Sequence, residues 1–265
     1  MNGPVLSLSN IQKRFGGVSA LRAGRLELRA GEVLGLVGEN GAGKSTLINI
    51  ATGLFPPDAG EVLLDGAPVS FANPRAAADR GVHVVHQEAD LFPQLSIAEN
   101  MLLGQGLERG AGGMIRWGAT YAKAEQMVDA LGERFNVREE AGGLTVARRT
   151  MAEIAAAVAS QPKVLFLDEP TASLTQKEIH NLFAQIRRLR EAGVGIVYVS
   201  HRLEEILTIC DRVTIMRDGE TIATHDASEL TLDDIVAKMV GRQRADMFAK
   251  ESPPIGDTRL SLSNV

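Results

Sequence analysis

The stretch Gly38-Glu39-Asn40-Gly41-Ala42-Gly43-Lys44-Ser45-Thr46 constrains this chain more than any other. It fits the phosphate-binding pattern G-x-x-x-x-G-K-[ST], with Gly38, Gly43, Lys44 and Ser45 at the fixed positions. The apolar run Val33–Val37 comes before it and Leu47–Ile50 after it, an order that reads strand, glycine loop, helix. Glycines let such a loop curl until its N–H groups converge on phosphate oxygens. The helix that follows adds partial positive charge at its N-terminus. Lys44 is expected to reach the outer phosphates and Ser45 to offer a hydroxyl to Mg²⁺. The competing reading is a glycine-rich turn before an ordinary helix. A lysine and serine in register behind a strand favour the phosphate reading.

The rest of the chain supplies a matching scaffold. Residues 5–11 and 21–31 read as strands joined by a turn at Gly16-Gly17. Pro-Pro, Ala-Gly and Asp-Gly pairs mark turns around a short strand at Glu61–Leu64. Gly81–Gln87, Val164–Pro170 and Gly193–His201 are largely apolar runs suited to strands covered on both faces. Residues 96–160 are rich in Ala, Glu and Leu, with glycine breaks at 110–113 and 142–143, and read as a mostly helical insertion. Ile179, Leu182, Phe183, Ile186 and Leu189 recur at helical spacing within Lys177–Glu191, leaving Arg187, Arg188 and Arg190 on an expected solvated face. Residues 212–220 and 221–225 read as a hairpin around Asp218-Gly219. Strands alternating with helices give an α/β fold with a mainly parallel sheet.

Composition narrows the function classes. Of 265 residues, 45% are hydrophobic and 23% charged, as in an ordinary globular protein. A net charge of -5 argues against a nucleic-acid partner. Cys210 is the sole cysteine, so no disulfide can form within the chain. The start lacks a signal-peptide pattern and no stretch is long and apolar enough to span a bilayer, which leads us to expect a cytoplasmic location. LSLSNI at 6–11 recurs as LSLSNV at 260–265 after a polar, proline-containing stretch, suggesting a linker and the start of a second, duplicated unit.

Four residues complete a site. Asp168 ends an apolar strand, where a carboxylate can hold Mg²⁺ directly or through water. Glu169 follows and can polarise an attacking water. His201 and Gln87 end two further strands and can sense the γ-phosphate, with Gln87 also facing Mg²⁺. Each has an ordinary structural reading when taken alone. Their convergence carries the case, because ligands bind beyond the carboxyl ends of parallel strands.

GENGAGKST, VHQE, VLFLDEPTASLT and YVSHRLEEI occur in that order, and the set resembles the nucleotide-binding subunits of ATP-binding cassette (ABC) transporters. KRFGGVSAL, PPDAGEVLLDG, LFPQLSIAENMLLG and RVTIMRDGE are similar to the double-cassette ATPases of bacterial carbohydrate importers, a group that includes importers of the furanosyl autoinducer. The resemblance covers nearly the whole chain. It implies a P-loop NTPase (RecA-like) core with an antiparallel β subdomain and a helical subdomain at about 96–160. Residues 1–241 would form one nucleotide-binding domain, 242–258 a linker and 259–265 the first strand of a second cassette. Lys44, Gln87, Glu169 and His201 would be catalytic, with Glu169 as the base. The loop Gly38–Thr46 would bind ATP, and Ser45, Gln87 and Asp168 would hold Mg²⁺. Phe15 matches the aromatic that stacks on adenine.

The implied partners are a second cassette, a transmembrane permease and, indirectly, a periplasmic solute-binding protein, with no nucleic acid. The implied location is the cytoplasmic face of the inner membrane, and the implied function is ATP hydrolysis driving uptake of a sugar or sugar-like solute. A regulatory cassette with little hydrolysis and an autoinducer-type importer ATPase are the alternatives.

One motif departs from that family. Where it reads LSGGQ or LSVGQQQ, this chain has Leu144-Thr145-Val146-Ala147-Arg148-Arg149-Thr150. Thr145 stands for Ser, Ala147 for Gly and Arg148 for Gln. The family places this loop against the γ-phosphate held by the opposite cassette, so a Cβ at Ala147 and a charge at Arg148 are expected to weaken the other site while sparing the one built on Lys44.

Overall fold

The computed structural model describes residues 3–86, 91–132 and 134–241. Chain order runs β1 (Leu6–Phe15), β2 (Val18–Leu28), β3 (Val33–Val37), α1 (Lys44–Ala51), β4 (Ala59–Leu64), β5 (Ala67–Pro68), α2 (Pro74–Ala78), β6 (Val82–Val85) and α3 (Ile97–Leu102). It continues with α4 (Trp117–Ala130), α5 (Val146–Ala159), β7 (Val164–Asp168), α6 (Gln176–Glu191), β8 (Gly195–Val199), α7 (Leu203–Ile209), β9 (Arg212–Arg217), β10 (Glu220–Asp226) and α8 (Leu232–Val240).

The described strands form one sheet in the order β5-β4-β1-β2-β10-β9-β3-β8-β7-β6. From β9 to β6 every neighbouring pair is parallel, as the continuous apolar runs require. From β5 to β2 the pairing is antiparallel. The two halves meet where β10 pairs with β2 at Glu220 and Ala23. Gly219, in the β9–β10 turn, strengthens that meeting: its carbonyl accepts from Arg22 N at 2.8 Å and its N–H donates to Ala42 O at 3.2 Å. Thr221 Oγ1 adds two bonds to the Arg25 backbone.

Alternation along each central strand splits the core into two layers. Leu34, Leu36, Phe166, Val197 and Val199 face α1 and the antiparallel half. Val33, Val37, Leu165, Leu167, Ile196 and Tyr198 face the helical layer. Phe166 is fully buried, so Phe166→Ala would cost about 3–5 kcal/mol.

The helical region lies where the sequence puts it, in α3, α4 and α5, and both glycine breaks become short 3₁₀ turns at Ala111–Gly113 and Ala141–Gly143. Ser96 and Glu99 form a capping box that starts α3, and Thr175 and Glu178 form one that starts α6, one residue earlier than the sequence suggests. Arg187 and Arg188 are exposed as expected, whereas Arg190 binds Asp211 at 2.8 Å. The expected linker at 242–258, the strand at 259–265 and Gln87 lie outside the described residues.

Candidate active site

Steric demand explains the glycine loop. A Cβ on Gly38 would sit 2.5 Å from Met216 O, and one on Gly43, at φ +99°, would meet Leu21 Cδ2 at 2.7 Å and Ala20 O at 2.9 Å. Only glycine lets the loop press against β9 and β2 at these points. Gly43 caps α1 without a side-chain acceptor, so the first N–H groups of the helix stay available to a ligand. Lys44 Nζ donates to Gly38 O at 2.7 Å and Glu39 O at 3.1 Å, folding the side chain over its own loop. Burial lowers the Lys44 pKa, and the neighbouring carboxylates of Asp168 and Glu169 oppose that shift.

Those acids come from the end of β7. Burial first, and then Glu169, raise the Asp168 pKa, with His86 and Lys44 pulling the other way. Glu169 has φ +48°, a strained conformation for a residue with a Cβ. Its N–H donates to Val199 O at 3.0 Å, holding the turn against β8. Its Oε2 then lies 3.1 Å from His201 Nδ1, just past the end of β8. The structure therefore brings Lys44, Asp168, Glu169 and His201 together.

Phe15 lies at the end of β1, 42% exposed. Phe55 packs edge-on against it at 5.4 Å between centroids, and Lys13 Nζ sits 5.7 Å from its ring centre. Lys13 in turn binds Asp58 at 2.8 Å and Pro56 O at 2.7 Å. Sequence reasoning found Phe15 but not this support.

The divergent motif is partly corrected by the structure. Ala147 is buried in the core of the helical layer, so its methyl group points away from the outer surface. Thr145 caps α5 through Arg148 N at 3.4 Å. Val146, half exposed, and Arg148 are the side chains that alter this surface. The carboxyl of Glu178 is held below its usual range by the Thr175 N–H and hydroxyl, with the Arg148 charge adding to that.

Sequence reasoning also missed Glu205. It is a buried acid on the apolar stripe of α7, beside Ile206 and in line with Ile209. A charge on such a stripe was the available signal.

A glycine loop between a buried strand and a helix, with acids ending a neighbouring parallel strand, defines a P-loop NTPase fold. Residues 21–172 match the family model described as ABC transporter. The chain belongs to the ABC transporter family and is an ATP-binding cassette.

The ribose import ATP-binding protein RbsA 2 of Streptomyces avermitilis is 46% identical over 98% of this chain and 51% of its own length. The RbsA of Bacillus subtilis is 40% identical over 98% of this chain and 52% of its own. A putative ribose/galactose/methyl galactoside import ATP-binding protein of Agrobacterium fabrum is 42% identical over 98% and 51%. The chain thus spans about half the length of the curated relatives it matches. Among solved structures, a nucleotide-free ATP-binding cassette from an ABC transporter superposes with a TM-score of 0.77 at 24% identity, covering 94% of this chain and all of the other. Among the described residues no helix is long and apolar enough to cross a membrane.

Proposed function

We propose that this cassette binds and hydrolyses ATP and couples hydrolysis to uptake of a sugar or sugar-like solute through a membrane permease. The contact between Glu169 and His201 beside Lys44 and Asp168 carries the chemistry, and the ribose-import relatives supply the solute class. The reaction is ATP + H₂O → ADP + phosphate, in which positioning and charge neutralisation matter more than covalent chemistry.

In this reading the loop N–H groups and the Lys44 ammonium hold the β- and γ-phosphate oxygens. The second carboxylate oxygen of Glu169 accepts a hydrogen bond from the attacking water and aims it in line, while His201 holds Oε2 in place. Phe15 stacks on the adenine.

Mg²⁺ fits the donor set. Ser45 is exposed at the start of α1, and burial together with Glu169 disfavours the Asp168 charge, a cost that a divalent cation there would offset. Bound Mg²⁺ would supply charge neutralisation on the phosphates; Ser45 and Asp168 would hold it, with Gln87 as a further ligand.

A second cassette would complete the site by covering the nucleotide. The helical layer would face the permease: Leu103, Met114 and Trp117 are exposed apolar side chains there. A cleft of about 840 Å³, lined in part by Arg75, Asn100, Gln105 and Glu153, opens between that layer and α2. The cassette would then sit on the cytoplasmic face of the inner membrane, with a periplasmic solute-binding protein acting through the permease.

Uptake of radiolabelled ribose and related sugars, in cells with wild-type protein or its Glu169→Gln variant, tests the reading. Sugar uptake that depends on Glu169 supports it. Uptake that is indifferent to Glu169 for every sugar, alongside normal ATP turnover by the variant, overturns it.

A further inference from the structure

Glu205 makes an unusual set of contacts for a buried acid. It is 8% exposed, and its Oε2 accepts from three hydroxyls: Thr171 Oγ1 at 2.7 Å, Tyr198 OH at 2.8 Å and Ser200 Oγ at 3.0 Å. Its Oε1 accepts from Arg202 Nη1 at 3.4 Å. Ser200 Oγ also accepts from Arg202 N at 3.0 Å. Burial and then Glu205 raise the Tyr198 pKa, so the phenol stays a donor.

Tyr198 lies in β8, and the other two hydroxyls belong to two separate loops. Thr171 is two residues beyond Glu169, in a turn closed by Ala172 N to Glu169 O at 3.3 Å and Leu174 N to Thr171 O at 3.1 Å. Ser200 immediately precedes His201. One carboxylate oxygen therefore clasps the loop carrying the proposed base and the loop carrying its histidine partner. Stability alone gives little reason for the arrangement, because burying an acid costs more than burying an apolar side chain of similar volume. Ile206 and Ile209 on the same helix show what that space otherwise holds.

We infer that Glu205 is a positioning residue for hydrolysis: by binding Thr171 and Ser200 with one oxygen, it fixes the spacing between Glu169 and His201. The inference rests on the proposed roles of those two residues. Glu205 does not touch the reacting atoms. It acts through the strained Glu169 turn, which needs an outside hold to keep φ +48°.

Steady-state ATPase kinetics, nucleotide binding and thermal melting of the full-length protein test this. Glu205→Ala should lower kcat about tenfold or more and leave KM for ATP within about twofold. Glu205→Gln keeps an acceptor oxygen and should recover part of that loss. Thr171→Val removes one bond of the clasp without removing the acid, and should lower kcat in the same sense should Glu205→Ala fold poorly. Ile209→Ala, on the same helix but outside the clasp, should lower Tm and leave kcat within about twofold.

Glu205 and Thr171 variants with unchanged kcat, while Glu169→Gln is inactive, would overturn the positioning role alone. So would kcat losses that merely follow Tm across all variants, Ile209→Ala included. Full activity in Glu169→Gln would remove the underlying reading as well.

Discussion

Glu169 Oε2 and His201 Nδ1 lie 3.1 Å apart, across two loops that leave adjacent parallel strands. The contact joins a residue held at positive φ to one whose ring is largely exposed. It fixes which carboxylate oxygen the ring occupies and leaves the other free for water. Glu169→Gln should therefore keep ATP affinity near wild type while lowering kcat about 100-fold or more, and His201→Ala should do the same to a smaller degree. Single-turnover hydrolysis and fluorescent-nucleotide binding separate the two effects.

Lys44→Ala should leave less than about a tenth of the ATPase of the full-length protein, because only the site built on this loop would face an ordinary signature motif. The surface made by Val146 and Arg148 motivates the asymmetry. Turnover close to wild type in that variant would show the second site to be fully active, contrary to this expectation.

Gly38→Ala should damage the loop more than its size suggests. The added methyl would meet Met216 O at 2.5 Å and Ala42 Cβ at 3.0 Å, which leaves little room to yield. We expect about 1–3 kcal/mol of destabilisation and a large loss of nucleotide affinity. Gly41→Ala, where no atom lies within 4 Å, is strained only by its φ of +84° and should be milder. Denaturant melts of both variants check the ranking.

Acid should loosen the Phe15 support before neutral pH does. A hydrogen bond from Lys13, then one from Arg14 N–H, hold the Asp58 carboxylate below its ordinary value of 3.8. A depressed folded-state pKa contributes stability that is present above the unfolded value and lost as pH falls through the folded one. Asp58→Asn should therefore lower Tm at pH 7, with the gap to wild type narrowing as pH drops below about 3.8. At neutral pH the same variant should raise KM for ATP more than it changes kcat, because Lys13 leaves its place beside Phe15.

Local signals gave most of this architecture away. Apolar runs ending in Asp168 and near His201 announced parallel strands, and Gly38 with Gly43 announced the loop. What stayed hidden depends on partners distant in sequence. Arg190 reads as solvent-facing from its helix alone, yet Asp211, 21 residues on, takes it. Ala147 reads as an obstacle from its motif, but the turn of α5 points its methyl group inward. Glu205 was visible as an acid on an apolar stripe, yet its role depends on Thr171, 34 residues earlier, and no periodicity encodes that pairing.

Gly219 ties the phosphate loop to the antiparallel wing through the backbone of one residue, donating to Ala42 in the loop and accepting from Arg22 in the wing that carries Phe15. The separation of Phe15 from the phosphate loop is thus set by the backbone itself. In the proposed reading ATP would meet a preset caliper there, and any working stroke would come from elsewhere in the cassette.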